Sequence, residues 1–246
     1  MNRIVVLLVA ILALGLLAGT VLGWKALGWR SRLADLKEHN RDYAGIETYA
    51  GRSGGAGASG AGPDIVFIGA SHTLDWGDIG ARFPDLRVEN RGIGGQLVPQ
   101  YLLRFRQDVL DLKPKVVVIE GCAINVTYAV PLRTLVDSYA SMVELARLHG
   151  IEPILATVMP VGAALEDRIP GLNAGVRRVN EAIQATAASL GVRVVDYHAA
   201  VADPQGMLPE GESSDGMHCA AGVYDRMAEA LEPVLRETLA ASGAAL

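Results

Sequence analysis

Residues 64–73 read DIVFIGASHT, and this stretch decides the fold class. The apolar run at 65–68 is followed by the small residues Gly69 and Ala70 and then by the polar residues Ser71 and His72. A short, continuous apolar run of this kind is typical of a strand that is buried on both faces, as in a parallel sheet. Because ligands bind beyond the carboxyl ends of parallel strands, the residues after this run are the first candidates for a functional site.

Similar runs recur along the chain and alternate with longer segments of helical periodicity. This alternation predicts an α/β fold: a three-layer α/β/α arrangement around a five-stranded parallel sheet, occupying residues 63–246. The predicted strands are residues 65–69, 86–90, 115–120, 153–158 and 192–196, and the predicted helices are residues 98–112, 132–149, 172–190 and 220–241.

The composition narrows the class of protein. A chain of 246 residues is long enough for one α/β domain and a short appendage. The net charge is -5 and no run of Lys or Arg is present, which argues against a nucleic-acid partner. No cluster of His, Cys and Asp has metal-ligand spacing, so we expect no metal. The sequence implies no cofactor. The two cysteines, Cys122 and Cys219, are interpreted as small buried thiols, with pairing in an oxidising compartment as the alternative.

The N-terminus predicts a membrane anchor. Residues 4–23 are uncharged and consist almost entirely of Val, Leu, Ile, Ala and Gly. As a helix they would extend about 30 Å, the thickness of the hydrocarbon core of a bilayer. We predict a transmembrane anchor over residues 1–24, with a signal peptide cleaved before Trp24 as the alternative. Residues 25–62 are predicted to be a juxtamembrane segment and a linker, because residues 51–62 read GRSGGAGASGAG.

The charges around this segment give conflicting indications of membrane orientation. Arg3 precedes the apolar run, whereas four basic residues follow it: Lys25, Arg30, Arg32 and Lys37. Short N-terminal anchors usually hold a domain outside the cytoplasm. We therefore expect the main domain to be extracytoplasmic, in the periplasm or at the cell surface.

Ser71 and the glycines around Gly95 follow the first two predicted strands. A serine at a strand end can present its hydroxyl to a cleft and its backbone N–H to a developing oxyanion, although serine is also a preferred helix N-cap. The stretch from Gly92 to Gln96 reads GIGGQ, and its glycines allow backbone amides to approach a ligand closely. A plain turn is the alternative interpretation of this stretch.

Two further stretches carry suitable polar residues. Asn125 follows the third predicted strand, and its side-chain amide can donate to an oxyanion, although an isolated Asn in a loop is more often a turn residue. Near the C-terminus, Asp215 and His218 are three residues apart in one predicted loop. There the carboxylate can orient the imidazole and stabilise its charged form.

Together and in this order, the four stretches resemble the sequence blocks of the SGNH (GDSL-like) hydrolase superfamily. The resemblance covers nearly all of residues 64–241 and implies a flavodoxin-like SGNH hydrolase fold. It implies Ser71 as nucleophile, with Asp215 and His218 as its partners. It also implies an oxyanion hole formed by the backbone amides of Ser71 and Gly95 and by the Asn125 side chain. The matching residues are Gly69-Ala70-Ser71, 90–95, Ala123-Ile124-Asn125 and 215–218.

The sequence departs from the family pattern beside two of these blocks. Ala70 stands where the family usually has Asp before the serine, and Ala123 and Val126 stand where it usually has Gly and Asp around the asparagine. None of these is a triad or oxyanion side chain in the family. We therefore expect altered loop support rather than loss of catalysis.

Other residues compete for roles at this site. Asp196 and His198, at the end of the fifth predicted strand, form an alternative pair, but the family match favours His218. His72, Gln96 and Tyr128 are predicted to line a substrate pocket, and ordinary packing is the alternative for each.

The resemblance implies a serine esterase or acylhydrolase. Its substrate would be a small ester, or an O-acetyl or other short acyl group carried by a glycan or a lipid. Two alternatives stay open: an O-acyltransferase that acts on a cell-envelope glycan with the same residues, and a binding protein that keeps the fold without catalysis. The sequence does not predict the oligomeric state.

Overall fold

The computed structural model describes residues 15, 19–20, 23–34, 37, 41–51 and 62–243. The chain divides into two compact units, Met1–Tyr43 and Ala44–Leu246. In the first unit, residues 23–34 are helical. Across the described residues, no helix is both long and apolar enough to span a bilayer. The anchor predicted for residues 1–24 lies almost entirely outside the described residues, as do positions 52–61 of the predicted linker.

A five-stranded parallel sheet forms the centre of the second unit. The strand order is β2-β1-β3-β4-β5, so that the chain moves from β1 to one side and then returns to the other. The change of direction places a crevice beyond the carboxyl ends of β1 and β3, where open α/β sheets bind ligands. The strands are β1 (Ile65–Gly69), β2 (Val88–Gly92), β3 (Val116–Ile119), β4 (Glu152–Ala156) and β5 (Arg193–Val195).

Helices cover both faces of the sheet and also begin just after several strands. Short 3-10 turns occur at Ile46–Tyr49, Ile79–Arg82 and Leu110–Leu112. The helices are α1 (Ser71–Asp75), α2 (Val98–Asp108), α3 (Ile124–Thr127), α4 (Leu132–Leu148), α5 (Ala163–Arg168), α6 (Leu172–Leu190), α7 (Tyr197–Val201) and α8 (Ala221–Gly243).

The alternating side chains of β1 contribute to two cores, because successive residues of a strand point to opposite faces. Val66 and Ile68 pack in one cluster with residues of α2, α4 and α6, such as Phe105. Ile65 and Phe67 belong to the other cluster, which includes residues of α7 and α8. The α/β fold with a five-stranded parallel sheet is therefore confirmed.

Two predicted elements differ most from the structure in their boundaries. The strand predicted at 86–90 is observed at Val88–Gly92, because its last residues include the fully buried Arg91, which breaks the apolar pattern. The helix predicted at 98–112 ends at Asp108 and continues as a 3-10 turn. In addition, the second unit begins at Ala44, before the glycine-rich stretch and well before residue 63.

Candidate active site

Ser71 is the first residue of α1 and comes directly after β1 and Ala70. Ala70 is the N-cap residue, with φ -99° and ψ -137°, and its carbonyl accepts a hydrogen bond from the Leu74 amide at 3.0 Å. The structure therefore contradicts the alternative in which the Ser71 side chain caps a helix. The Ser71 hydroxyl instead contacts a histidine from a distant loop.

Ser71, His218 and Asp215 are connected by two consecutive hydrogen-bond contacts. The Nε2 atom of His218 is 3.1 Å from the Ser71 hydroxyl oxygen, and its Nδ1 atom is 2.6 Å from Asp215 Oδ2. The side chains of His218 and Asp215 are 43% and 47% exposed, so the site is open to solvent. Partial burial works to raise the pKa of Asp215, but hydrogen bonds from the His218 ring and amide and from the Met217 amide outweigh it and hold that pKa below its usual value.

The loop that carries this pair is attached to the region around α5. The Gly162 amide donates to the Gly216 carbonyl at 2.8 Å, and the Arg168 side chain donates to the Asp215 carbonyl at 2.7 Å. Gly216 has φ +85°, and a Cβ there would lie 2.7 Å from Leu165 Cβ. Only glycine fits this position without displacing the loop.

Glu120 holds the turn that bears Ser71, a role that the sequence analysis missed. It follows β3, is 5% exposed, and its Oε2 accepts hydrogen bonds from the amides of Ala70 at 2.9 Å and Thr73 at 3.1 Å. The Thr73 hydroxyl also donates to this oxygen. A Cβ at Gly69 would come within 1.9 Å of the same atom, so glycine is required there. The available signal was an acidic residue that closes the apolar run VVVIE.

The candidate oxyanion donors come from three elements. Gly95 is exposed and has φ +76°. Within the described residues, neither the Ser71 amide nor the Gly95 amide donates a hydrogen bond. Asn125 lies in α3 and is 1% exposed. Its Oδ1 accepts from the Val98 amide at 3.1 Å and its Nδ2 donates to the Cys122 carbonyl at 2.9 Å, which leaves one of its two amide hydrogens for a ligand.

The three predicted pocket residues differ in their surroundings. His72 is 5% exposed, with Nε2 2.8 Å from the Met217 carbonyl and Nδ1 3.5 Å from Glu120 Oε1. Gln96 is 4% exposed, and its amide joins the Ala44 carbonyl to Arg104. Both side chains make contacts inside the protein, and their place in a substrate pocket stays a prediction. Tyr128 is 70% exposed after α3 and stays a prediction.

The buried His72 links the turn after β1 to the loop that carries His218. Burial disfavours its charged form, but interactions with the Cys219 and Glu120 side chains outweigh this effect and raise the pKa of His72 above its usual value. Because a carbonyl oxygen can only accept, the ring donates from Nε2 to the Met217 carbonyl, and Nδ1 faces Glu120 Oε1. His72 therefore ties the turn that bears Ser71 to Met217, the residue that precedes His218.

The remaining candidates have other roles. Asp196 is the N-cap of α7 and accepts from the Ala199 amide at 3.0 Å and the Thr157 hydroxyl at 2.9 Å. The histidine that contacts Ser71 is His218 rather than His198. Cys122 and Cys219 are both free thiols, and burial raises the pKa of Cys122. Within the described ranges, no group of three or more His, Cys, Asp and Glu side chains is placed to hold a metal ion.

Comparisons with known proteins show the family of this chain. A model of the GDSL-like lipase/acylhydrolase family matches residues 58–226. The chain is similar in structure to a candidate acylhydrolase from Bacteroides fragilis, with 28% identity, a TM-score of 0.71, and coverage of 80% of this chain and 99% of that one. It is also similar to a GDSL-like lipase from Bacteroides thetaiotaomicron, with 28% identity, a TM-score of 0.69, and coverage of 79% and 98%.

One curated relative matches over a shorter region. The uncharacterized lipoprotein YqeF of Bacillus subtilis is 37% identical over 83 residues, which are 31% of this chain and 34% of that protein. The match thus spans about a third of the length of the curated relative.

Proposed function

Because this chain belongs to the GDSL-like lipase/acylhydrolase family, we propose that it is a serine esterase with Ser71 as its nucleophile. The observation that carries the proposal is the separation of 3.1 Å between His218 Nε2 and the Ser71 hydroxyl, combined with the 2.6 Å contact between His218 Nδ1 and Asp215. These contacts support the roles of nucleophile, base and orienting group for Ser71, His218 and Asp215, in the order that acyl transfer requires.

In the proposed reaction, Asp215 accepts the Nδ1–H of His218 and leaves Nε2 free to take the Ser71 proton. Ser71 Oγ then attacks the ester carbonyl, and the carbonyl oxygen becomes an oxyanion held by the Ser71 and Gly95 amides and by Asn125 Nδ2. His218 returns its proton to the leaving alcohol as the C–O bond breaks. Water, deprotonated by His218, then releases the acyl group as a carboxylic acid and restores the serine.

We propose that the substrate is a short acyl ester, such as an O-acetyl group, carried by a larger glycan or lipid. The exposure of His218 and Asp215, 43% and 47%, supports a shallow site in which the bulk of the substrate stays outside the protein. Comparing kcat/KM for nitrophenyl acetate and nitrophenyl octanoate tests which acyl chain length is preferred. A higher kcat/KM for the octanoate would contradict the short-acyl proposal.

A fluorophosphonate probe tests the proposal directly. The wild-type chain should be labelled covalently, and Ser71→Ala should not. Asn125→Ala should remain reactive but lose about 10²–10³-fold in kcat on nitrophenyl acetate, the usual effect of removing one oxyanion donor. A wild-type chain that is folded but neither labelled nor active would favour the non-catalytic binding protein instead.

The open site also supports the alternative of O-acyl transfer to a glycan, because an acceptor larger than water can reach the acyl-enzyme. The two reactions differ only in the nucleophile of the second step. Measuring acyl release and acyl transfer from the same nitrophenyl ester, with and without a glycan acceptor, separates them. Acyl transfer that outpaces hydrolysis would replace the esterase proposal.

We further propose that the enzyme is held at a membrane with its catalytic unit outside the cytoplasm. The apolar run at residues 4–23 and the lipoprotein name of the Bacillus subtilis relative support this location. Protease treatment of intact cells should digest the catalytic unit, and full protection that is lost only on lysis would contradict the proposed orientation.

A further inference from the structure

Residues 44–50 pack into the second unit although they precede the glycine-rich stretch 51–62. We call this segment the N-terminal strap. It contains the 3-10 turn Ile46–Tyr49, and its end residues are buried, with Ala44 5% and Tyr49 8% exposed. Its described contacts are to the end of β2, to the loop that follows, and to α2. The strap therefore lies on the segment that presents Gly95.

Two hydrogen bonds join the strap to positions on either side of Gly95. The Tyr49 hydroxyl donates to the Gly92 carbonyl at 2.6 Å, and the Gln96 side-chain amide donates to the Ala44 carbonyl at 2.6 Å. Gln107 of α2 adds a third contact by donating to the Ile46 carbonyl at 2.8 Å. The loop between Gly92 and Gln96 is thus held at both of its ends.

The same network continues to the turn that bears Ser71. Gln96 accepts from Arg104 Nε at 2.7 Å, and Arg104, whose side chain is fully buried, donates to the Gly69 carbonyl at 3.0 Å and the Arg91 carbonyl at 2.8 Å. The Tyr49 ring also covers the buried Arg91 guanidinium, with 4.8 Å between the guanidinium carbon and the ring centroid. The strap therefore shares one buried network with both strand ends that supply backbone oxyanion donors.

We propose that the N-terminal strap is a positioning element of the oxyanion hole, which sets the Gly95 amide directly and the Ser71 turn through Gln96 and Arg104. A loop with three glycines among residues 92–95 has little conformational preference of its own, so its geometry depends on outside restraints. Donors that are fixed before reaction stabilise an oxyanion far better than donors that must reorganise. The inference rests on the proposed esterase function.

Two glycines provide a matched pair of variants in the full-length chain. Gly45 has φ +68°, and a Cβ there would lie 2.8 Å from Gln96 Nε2 and 3.1 Å from Ile93 Cδ1. Gly51 has φ +72°, and a Cβ there would meet nothing within 4 Å. Alanine introduces similar backbone strain at both positions, but only Gly45→Ala pushes on the loop that presents Gly95. Tyr49→Phe is the conservative companion, since it removes only a hydroxyl.

We expect Gly45→Ala and Tyr49→Phe to weaken stabilisation of the transition state and to leave substrate binding unchanged. On nitrophenyl acetate, kcat should fall about 10- to 100-fold in Gly45→Ala, less than after outright removal of a donor. It should fall about 3- to 10-fold in Tyr49→Phe, the usual effect of one hydrogen bond. KM should hardly change, and affinity for a boronic acid that forms a tetrahedral adduct on Ser71 should fall by the same factor as kcat. Gly51→Ala should behave as wild type.

The outcomes separate this inference from the proposed function. A wild-type chain that neither hydrolyses the ester nor reacts with a fluorophosphonate would remove the esterase function itself. An active wild type whose Gly45→Ala and Tyr49→Phe variants stay within about twofold of Gly51→Ala would reject the positioning role. A fall in kcat with unchanged boronic-acid affinity would also reject it. If Gly45→Ala does not fold, Tyr49→Phe decides by the same measurements.

Discussion

Asp215 contacts His218 through both of its carboxylate oxygens: Oδ2 lies 2.6 Å from the ring Nδ1, and Oδ1 accepts from the His218 backbone amide at 2.8 Å. One side chain thus fixes the ring and the backbone of the proposed base.

Asp215→Asn should separate these two functions. The amide oxygen can still accept from the backbone, so the loop should keep its shape. The amide nitrogen would face His218 Nδ1 and favour the wrong tautomer, so kcat should fall about 10³- to 10⁴-fold. Steady-state kinetics on nitrophenyl acetate, with circular dichroism as a check on folding, measures this. Retention of more than about a tenth of the wild-type kcat would remove Asp215 from the proposed triad.

Glu120→Gln should loosen the turn that bears Ser71. The carboxylate accepts from the Ala70 and Thr73 amides, and hydrogen bonds to a charged group contribute more than neutral ones. We expect the free energy of unfolding to fall by about 1–3 kcal/mol and kcat to fall by about tenfold or more. Urea denaturation and ester kinetics measure the two effects. Glu152→Gln, at the start of β4, is the control and should change stability by less than about 0.5 kcal/mol.

Gly216→Ala should damage the loop that carries Asp215 and His218. The new Cβ would lie 2.7 Å from Leu165 Cβ, and overpacking of this kind costs about 1–3 kcal/mol. Gly211 is the matched control, because it has φ +82° and open space around a new Cβ, so alanine there adds only backbone strain. The difference in stability and in kcat between the two variants isolates the contact with Leu165. Equal behaviour of the two would show that this contact is unimportant.

Because of Asp64, the free energy of unfolding should decrease as the pH becomes acid. Its side-chain hydrogen bond with Arg87, aided by Lys115 and opposed by burial, lowers its pKa from 3.8 to about 2. The stabilisation is therefore present above pH 3.8 and is lost as the pH falls toward 2. Its size is at most about 2 kcal/mol, reduced by solvent screening because Arg87 and Lys115 are 43% and 59% exposed.

Asp64→Asn tests this pH dependence. At neutral pH the variant should unfold at lower urea concentration than wild type, and the gap should narrow steadily in acid. Denaturation curves recorded for both proteins between neutral pH and the acid limit measure the gap. A gap that is the same at every pH would mean that the charge of Asp64 contributes nothing.

The order of the five strands and the four long helices could be predicted because apolar periodicity and Gly/Pro punctuation are local signals. The predicted helix 172–190 coincides with α6, whose C-cap is the left-handed Gly191. The proximity of Ser71, Asp215 and His218 followed from the family pattern and from the rule that strand ends meet at one edge. Both the family pattern and the strand-end rule apply however far apart the residues lie along the chain.

Buried polar partners could not be predicted, because each depends on a residue far along the chain. Arg91 breaks the apolar pattern of β2, yet its side chain is fully buried between Glu89 and Asp108. Glu120 contacts Thr73, and Gln96 contacts Ala44, each across more than forty residues. Composition alone made residues 44–50 look like part of a linker, since their partners are not sequence neighbours.

The two free thiols have a practical consequence for handling the enzyme. Because neither Cys122 nor Cys219 is cross-linked, the fold requires no oxidant, and active protein should be obtainable from the reducing cytosol of an expression host. Cys219 is partly exposed and adjoins His218, so a maleimide dye placed there would report on events at the loop that carries Asp215 and His218. Because Cys122 is buried, such a dye should react mainly with Cys219.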